Sequence, residues 1–222
     1  MGMRKLLSRF LGEAMDVLLP PRCPACTQRT DGWPAIFCPA CEGCLERAPG
    51  PVHTTGADCV DLLVSPFVYG GPLARAIVRF KHSGLPALGV RLADLGIGCV
   101  EMPEADVVVP VPLHRRRLAE RGFNPATVIG GRVARAIGRP LSLGVLLRVR
   151  DTPSQGGLPP AGRRLNVKGA FAAAGRSGRV LERSVLLVDD VWTTGATARA
   201  CARVLLRAGA SSVTAFALAR VA

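Results

Sequence analysis

Lysine is nearly missing from this chain of 222 residues: 3 stand against 26 arginines, with 16 acidic residues and a formal net charge of +13. Histones, polybasic tails and membrane-surface segments lean on lysine, so the excess is not a plain solubilising surface. Arginine's planar fork suits bidentate capture of phosphate and carboxylate oxygens. Abundant Ala, Gly, Val and Arg is also what a GC-rich genome yields, and composition leaves both readings open. Long apolar runs are absent as well. Val185–Val188 and Val107–Pro112 are strand-sized, which excludes a membrane-spanning helix. Met1-Gly2-Met3-Arg4-Lys5-Leu6-Leu7 does not continue into a secretory core, because Ser8, Arg9, Glu13 and Asp16 interrupt it and no small-residue cleavage site follows. Leu6 stands where a myristoylation signal needs Ser or Thr. The expected compartment is the cytoplasm, with no membrane contact. Aromatic residues make up only 5%, which argues against a dedicated single-strand nucleic-acid binder built on stacking platforms. What is present, 49% hydrophobic and 20% charged residues, suffices for a proper core. The length suits one ordinary domain, or a compact domain with a small appendage.

Charge divides the chain near residue 60. Residues 1–60 hold 6 basic and 6 acidic residues, whereas residues 61–222 hold 23 basic and 10 acidic, the whole +13. Five of the eight cysteines (Cys23, Cys26, Cys38, Cys41, Cys44) lie in the neutral part. Two domains are expected: a small cysteine-dependent module over 1–60 and a basic α/β domain over 61–222. At the start, Leu6, Phe10, Ala14, Val17 and Leu18 fall at helical spacing within 3–18. A helix docked on its own protein is favoured there over one lying on a membrane.

Cys23-Pro24-Ala25-Cys26 and Cys38-Pro39-Ala40-Cys41 are two C-x-x-C pairs. Two residues between cysteines let one tight turn aim both thiolates at a single ion, and two such knuckles complete a tetrahedral zinc shell. The connecting loop, with Asp31-Gly32 and Trp33-Pro34, is too short for its own core, so metal would supply folding energy. Cys44 complicates the assignment, either as a free thiol near the site or as a ligand in place of Cys38 or Cys41. The repeated Cys-Pro-Ala-Cys pattern favours Cys38 and Cys41. Disulfides are the alternative, and a cytoplasmic chain disfavours them. His53 is either an outlying ligand or, more simply, a solvated loop residue. Four thiolates leave no open position, so the zinc is expected to be structural.

The most specific pattern lies at 185–201. Val185-Leu186-Leu187-Val188 has the look of a buried parallel strand. Asp189-Asp190 and Val191-Trp192 follow, then Thr193-Thr194-Gly195-Ala196-Thr197, then a helical apolar face of Ala198, Cys201, Ala202, Leu205 and Leu206. Backbone N–H groups of a Gly/Thr loop at a helix start cradle phosphate, with hydroxyls adding donors. The carboxylates just before it are placed to accept hydrogen bonds from sugar hydroxyls, or to engage Mg2+ directly or through water. It is no Walker loop, because no Gly-Lys-Ser/Thr follows. The combination describes a site for a sugar with a terminal phosphate.

This stretch resembles the 5-phosphoribosyl-1-pyrophosphate (PRPP) signature of type I phosphoribosyltransferases. The resemblance implies that Asp189 and Asp190 hold the ribose hydroxyls, and that Thr193, Thr194, Gly195, Ala196 and Thr197 hold the 5′-phosphate. Upstream, Asp106-Val107-Val108-Val109-Pro110 is a second strand, running into Leu113-His114-Arg115-Arg116-Arg117-Leu118-Ala119-Glu120-Arg121-Gly122-Phe123-Asn124. Residues 107–150 carry nine arginines and one acid. Such a loop suits the pyrophosphate of PRPP or a nucleic-acid backbone, with Arg115, Arg116, Arg117 and Arg121 as candidates, unless it is only a solvated charge run.

Pro-Val-Pro-Leu-His-Arg-Arg-Arg-Leu-Ala-Glu-Arg-Gly-Phe-Asn is similar to the ComF family. So are Thr152, Gln155, Arg163 and Asn166, Gly169-Ala170-Phe171, Tyr69 with Arg79-Phe80-Lys81, and the cysteine-rich start. Pro125 departs from the family's usual Gln, a change that a helix's first turn accepts but that removes a polar contact. Residues 148–171, rich in Pro, Gly and Arg, read as a hood over the site, with Gln155, Arg163, Arg164 and Asn166 as polar candidates. Lys81 closes an amphipathic stretch (Leu73, Ile77, Phe80) and fits either a plain helix-end lysine or a ligand contact. The resemblance implies a type I phosphoribosyltransferase-like α/β fold with a mostly parallel sheet, helices on both faces and a small N-terminal zinc module of four cysteines. Strands are expected near 107–111, 185–188 and 213–218. It implies Mg2+-assisted displacement of pyrophosphate from PRPP by a nitrogen nucleophile. A second reading, from the family's association with natural transformation, is a non-enzymatic accessory of DNA uptake. It would bind single-stranded DNA or a helicase partner and use the phosphoribosyl site for nucleotide sensing.

Overall fold

The computed structural model describes residues 22–30, 35–54, 59–82, 84–152 and 167–222. The expected helix at 3–18 and the hood candidates Gln155, Arg163, Arg164 and Asn166 lie outside these residues. The chain divides into two compact units, Met1–Leu45 with Gly70–Arg79, and Glu46–Tyr69 with Phe80–Ala222.

In the first unit, α1 (Pro39–Glu42) is a single turn whose first position is proline, where the missing N–H costs nothing. Cys38 precedes it and Cys41 sits within it. The second unit is built on a six-stranded sheet of β1 (Val52–His53), β2 (Leu62–Val64), β3 (Phe67–Val68), β4 (Val107–Pro110), β7 (Ser184–Trp192) and β8 (Ser212–Arg220). The order is β1-β2-β8-β7-β4, with β3 also on β8. Every pairing is parallel except β1 with β2. A separate antiparallel pair, β5 (Leu146–Arg148) and β6 (Phe171–Ala173), closes the base of the 149–170 connection, with Arg148 opposite Phe171. The helices of this second unit are α3 (Pro86–Ile97), α4 (Arg115–Arg121), α5 (Pro125–Ala136) and α6 (Ala196–Arg207), with the last turn of α2 (Gly71–His82), whose earlier residues belong to the first unit.

Helices cover both faces of the sheet, as expected. Val185, Leu186, Leu187 and Val188 are all buried, because successive side chains of a doubly covered strand enter two cores in turn. Val185 and Leu187 share one core with Val107, Val109, Ala215 and, from α6, Ala198, Cys201, Ala202 and Leu205. On the opposite face the helices come close through glycine. A Cβ at Gly130 of α5 would lie 3.2 Å from Leu141 and within 3.8 Å of Val108, and one at Gly96 of α3 would lie 3.0 Å from Leu218. The acids Asp189 and Asp190, expected to follow the strand, instead lie inside β7. Its ladder with β8 continues through Asp189 opposite Ala217 to Trp192 opposite Arg220. Among the described residues no helix is long and apolar enough to cross a membrane.

Candidate phosphate-and-sugar site

A cavity of about 1070 Å³ opens at the carboxyl ends of β4 and β7, where parallel α/β sheets place their ligands. Its wall includes Asp189, Asp190, Trp192, Thr193, Gly195, Ala196 and Thr197 from the β7–α6 connection. Arg117, Glu120 and Arg121 come from α4, Asn124 from the start of α5, Arg148 from β5, and Tyr69 and Lys81 from the other side.

Local chemistry fixes each part. Gly195 has φ +72° and caps α6, and a Cβ there would fall 2.4 Å from the Trp192 ring and 2.9 Å from the Arg199 guanidinium. Both the backbone and the neighbours therefore require glycine. Arg199 donates to the Thr194 carbonyl and lies 5.8 Å over the Trp192 ring, which braces the loop from behind. The first turn of α6 opens on the cavity through Ala196, Thr197 and Ala198. Asn124 caps α5: its Oδ1 accepts from the Ala126 N–H at 3.1 Å, and its Nδ2 donates to the Val111 carbonyl at 2.9 Å. That tie fixes the end of β4 against the helix that follows it.

The carboxylate pair is not bare. Lys81 Nζ lies 2.8 Å from Asp190 Oδ2, and the Asp190 N–H donates to Asp189 Oδ1 at 2.9 Å. Burial works against the Lys81 charge, but Asp190 and then Asp189 outweigh it and raise its pKa. Burial and the neighbouring Asp190 charge push Asp189 up to about 7, against the Asp190 N–H, Lys81 and Arg148. Lys81 is set in place by Phe80, which is fully buried against Gly89 and 5.3 Å from the Phe123 ring.

In the first unit, the Sγ atoms of Cys23, Cys26, Cys38 and Cys41 all lie within 4.8 Å of one another, with Cys26 and Cys38 at 3.5 Å. Zinc–sulfur bonds of about 2.3 Å in a tetrahedron put sulfurs about 3.8 Å apart, so the quartet fits the ion. Burial raises the Cys23 pKa, but backbone N–H groups of Cys38, Cys26 and Ala25 outweigh it and bring the thiol down to about 6. Burial and the other three thiols drive Cys41 up to about 12. One favoured thiolate among costly ones is what a bound cation would relieve. Cys44 is exposed and outside the quartet, and none of the eight cysteines is in a disulfide. His53 is exposed on β1.

No family model matches the chain. It is 32% identical to competence protein F of Haemophilus influenzae over 189 residues, covering 81% of this chain and 78% of that one. The chain belongs to the ComF family. It is also 31% identical over 208 residues to the DNA utilization protein YhgH of Escherichia coli K12, covering 89% of this chain and 83% of that one. Among solved structures it is similar to glutamine PRPP amidotransferase of B. subtilis complexed with ADP and GMP, at 27% identity and a TM-score of 0.38, covering 62% of this chain and 26% of that one.

The residues singled out in this ComF-family sequence are gathered unevenly. Asp189, Asp190, Thr193, Gly195, Ala196 and Thr197 meet on the cavity; Thr194 stands behind, its Oγ1 capping Ala196 at 3.5 Å. Of the arginines, Arg117 and Arg121 line the cavity, whereas Arg115 and Arg116 are exposed and do not. Arg116 is held by Glu120 at 3.0 Å and by Asp151 at 3.5 Å. Asp151 also approaches His114 at 3.6 Å and Arg117 at 3.9 Å, and Arg117 donates to the Thr152 carbonyl at 2.9 Å. Arg148, at the start of the stretch read as a hood, and Asn124, the last residue of the ComF-like basic stretch, line the cavity too, although the sequence assigns neither a role. Arg148 donates to the Thr152 hydroxyl at 2.6 Å and stacks 5.5 Å over Phe171, so its guanidinium is anchored before any ligand arrives.

Two consequences are measurable. Gly195→Ala forces a side chain onto Trp192 in a left-handed backbone, and a loss of about 2 to 4 kcal/mol in denaturant unfolding is expected. Asp189 keeps its proton up to about pH 7 in the folded chain but releases it near the ordinary aspartate value when unfolded. Its contribution to stability is therefore full below about pH 4 and disappears as pH rises through about 7. Asp189→Asn should flatten the decline of the unfolding midpoint across that window.

Proposed function

We propose that this ComF-family protein binds PRPP, or another nucleotide bearing ribose 5-phosphate, in the cavity at the end of β7. The observation that carries the reading is one cavity shared by the Asp189–Asp190 pair, the start of α6, and Arg117 with Arg121. Asp189 and Asp190 take the ribose hydroxyls. The loop from Thr193 to Thr197 takes the 5′-phosphate with backbone N–H groups and threonine hydroxyls. Arg117 and Arg121 face the pyrophosphate, with Arg115 and Arg116 adding positive potential at the rim. Mg2+ would arrive with the pyrophosphate and neutralise part of its charge; Asp189, Asp190 and Glu120 are the carboxylates of the cavity wall that would meet it. Zinc is the proposed ion of the cysteine quartet, in a structural role, and the cytoplasm the proposed compartment.

As an enzyme, the protein would break the bond from ribose C1 to the pyrophosphate oxygen and form a bond from C1 to a nitrogen nucleophile, with pyrophosphate leaving. The residues would serve by positioning and by charge stabilisation of the leaving group. Mixing protein, Mg2+ and PRPP with a panel of nucleobases and amines tests this directly. Pyrophosphate release with at least one acceptor is expected, and no release with any of them would refute transfer.

The names of the relatives, competence protein F and DNA utilization protein, favour a second reading for a chain of net charge +13. On it, the protein is a non-enzymatic accessory of DNA uptake that binds single-stranded DNA or a helicase partner, and the cavity senses nucleotide. DNA affinity that falls steeply with added salt and survives Asp189→Ala would support it.

A further inference from the structure

Two carboxylates facing a cavity offer about four acceptor oxygens. In this cavity one oxygen of each is already partnered from within the chain: Asp190 Oδ2 by Lys81 Nζ at 2.8 Å, and Asp189 Oδ1 by the Asp190 N–H at 2.9 Å. Lys81 does not extend freely towards solvent. Its side chain is 25% exposed, that of Asp190 is 13% exposed, and the neighbouring Phe80 is fixed between Gly89 and Phe123. The cation is thus committed to the part of the cavity that faces sugar hydroxyls.

That commitment changes what the site can distinguish. Two bare carboxylates would reject a sugar lacking one hydroxyl, since binding would strip water from a charged acceptor and return no donor. Here the carboxylate that meets the missing hydroxyl is Asp190, and it keeps a donor of the protein's own in Lys81. The loss then falls to that of one ordinary hydrogen bond, about tenfold or less in affinity.

We propose that the Lys81–Asp190 ion pair relaxes selection at one sugar hydroxyl, so that the cavity accepts 2-deoxyribose 5-phosphate groups, as carried by deoxynucleotides, nearly as well as ribose 5-phosphate groups. This rests on the sugar-phosphate reading of the cavity. Lys81 is here a specificity residue: its contribution shows in the ratio of two affinities, which a merely structural role would leave unchanged.

The test is titration calorimetry of the full chain with ribose 5-phosphate and with 2-deoxyribose 5-phosphate, repeated for Lys81→Met and Lys81→Arg. The wild type is expected to bind both within about tenfold. Lys81→Met should widen that ratio at least about tenfold further, because a charged acceptor then loses its donor, and Lys81→Arg should bring it back. If the wild type binds neither sugar phosphate, the reading of the cavity itself fails. If it binds ribose 5-phosphate but the deoxy sugar more than about a hundredfold weaker, the cavity reading stands and the role of Lys81 is overturned. An unchanged ratio in Lys81→Met overturns it equally. The wild-type ratio decides even if the methionine variant does not fold.

Discussion

Stripping the metal from the cysteine quartet is expected to unfold the segment that carries it, while the parallel sheet stays folded. Residues 22–30 and 35–45 offer little to bury besides the cysteines, Pro24 and Phe37. The remaining order comes from short contacts, such as the Cys23 N–H to the Gln28 carbonyl at 2.8 Å and the Glu42 N–H to the Cys38 carbonyl at 2.9 Å. Structural zinc supplies an apparent stabilisation of about 10 to 16 kcal/mol in small cysteine-rich modules, more than such a segment could gain from packing. A chelator at neutral pH should release one ion per chain and expose the amides of these residues to rapid hydrogen exchange. Amides of β7 and β8 should remain protected. Cys23→Ser should release the ion without chelator, whereas Cys44→Ser, outside the quartet, should leave metal content unchanged. Continued protection of residues 22–45 in metal-free protein would show that the quartet does not hold its unit together.

Replacing both aspartates of β7 is the second change with a large expected effect. At about pH 8, where Asp189 has given up the proton that it keeps up to about 7, Asp189→Ala with Asp190→Ala removes two charged acceptors from the cavity floor and leaves Lys81, now without its 2.8 Å partner, in a partly buried place. Hydrogen bonds to charged groups contribute about 1.5 to 3 kcal/mol each, so PRPP affinity should fall by about a hundredfold to ten-thousandfold. The fold should survive, because the flanking Val185–Val188 core and the β7–β8 ladder do not depend on these side chains. A double variant that keeps wild-type affinity for PRPP would remove the acids from the sugar site.

How much was legible beforehand differs from element to element. The quartet could be read because C-x-x-C spacing states its own geometry. The buried strands at 107–110 and 185–188 could be read because four adjacent apolar residues between turn signals have few other uses. The end of β7 could not. Asp189 and Asp190 break the apolar pattern, yet the backbone ladder with β8 runs on to Trp192 whatever the side chains are. The strands of two or three residues, β1, β2, β3, β5 and β6, are too short to carry a period. Arg115, Arg116 and Arg117 look equivalent in sequence, but a helix turns each about 100° from the last. Arg117, Glu120 and Arg121, three and four apart, therefore share the face on the cavity while Arg115 points elsewhere. Lys81 read equally well as a helix end or a ligand contact. Its pairing with Asp190 joins distant parts of the chain, and no local pattern encodes that.

Titration calorimetry of the wild-type protein with PRPP in the presence of Mg2+ tests the phosphoribosyl site most directly. Saturable binding of one PRPP per chain, competed by ribose 5-phosphate, is the predicted result. No heat of binding up to millimolar PRPP, from protein whose sheet is folded and whose cysteine quartet is loaded, would contradict it.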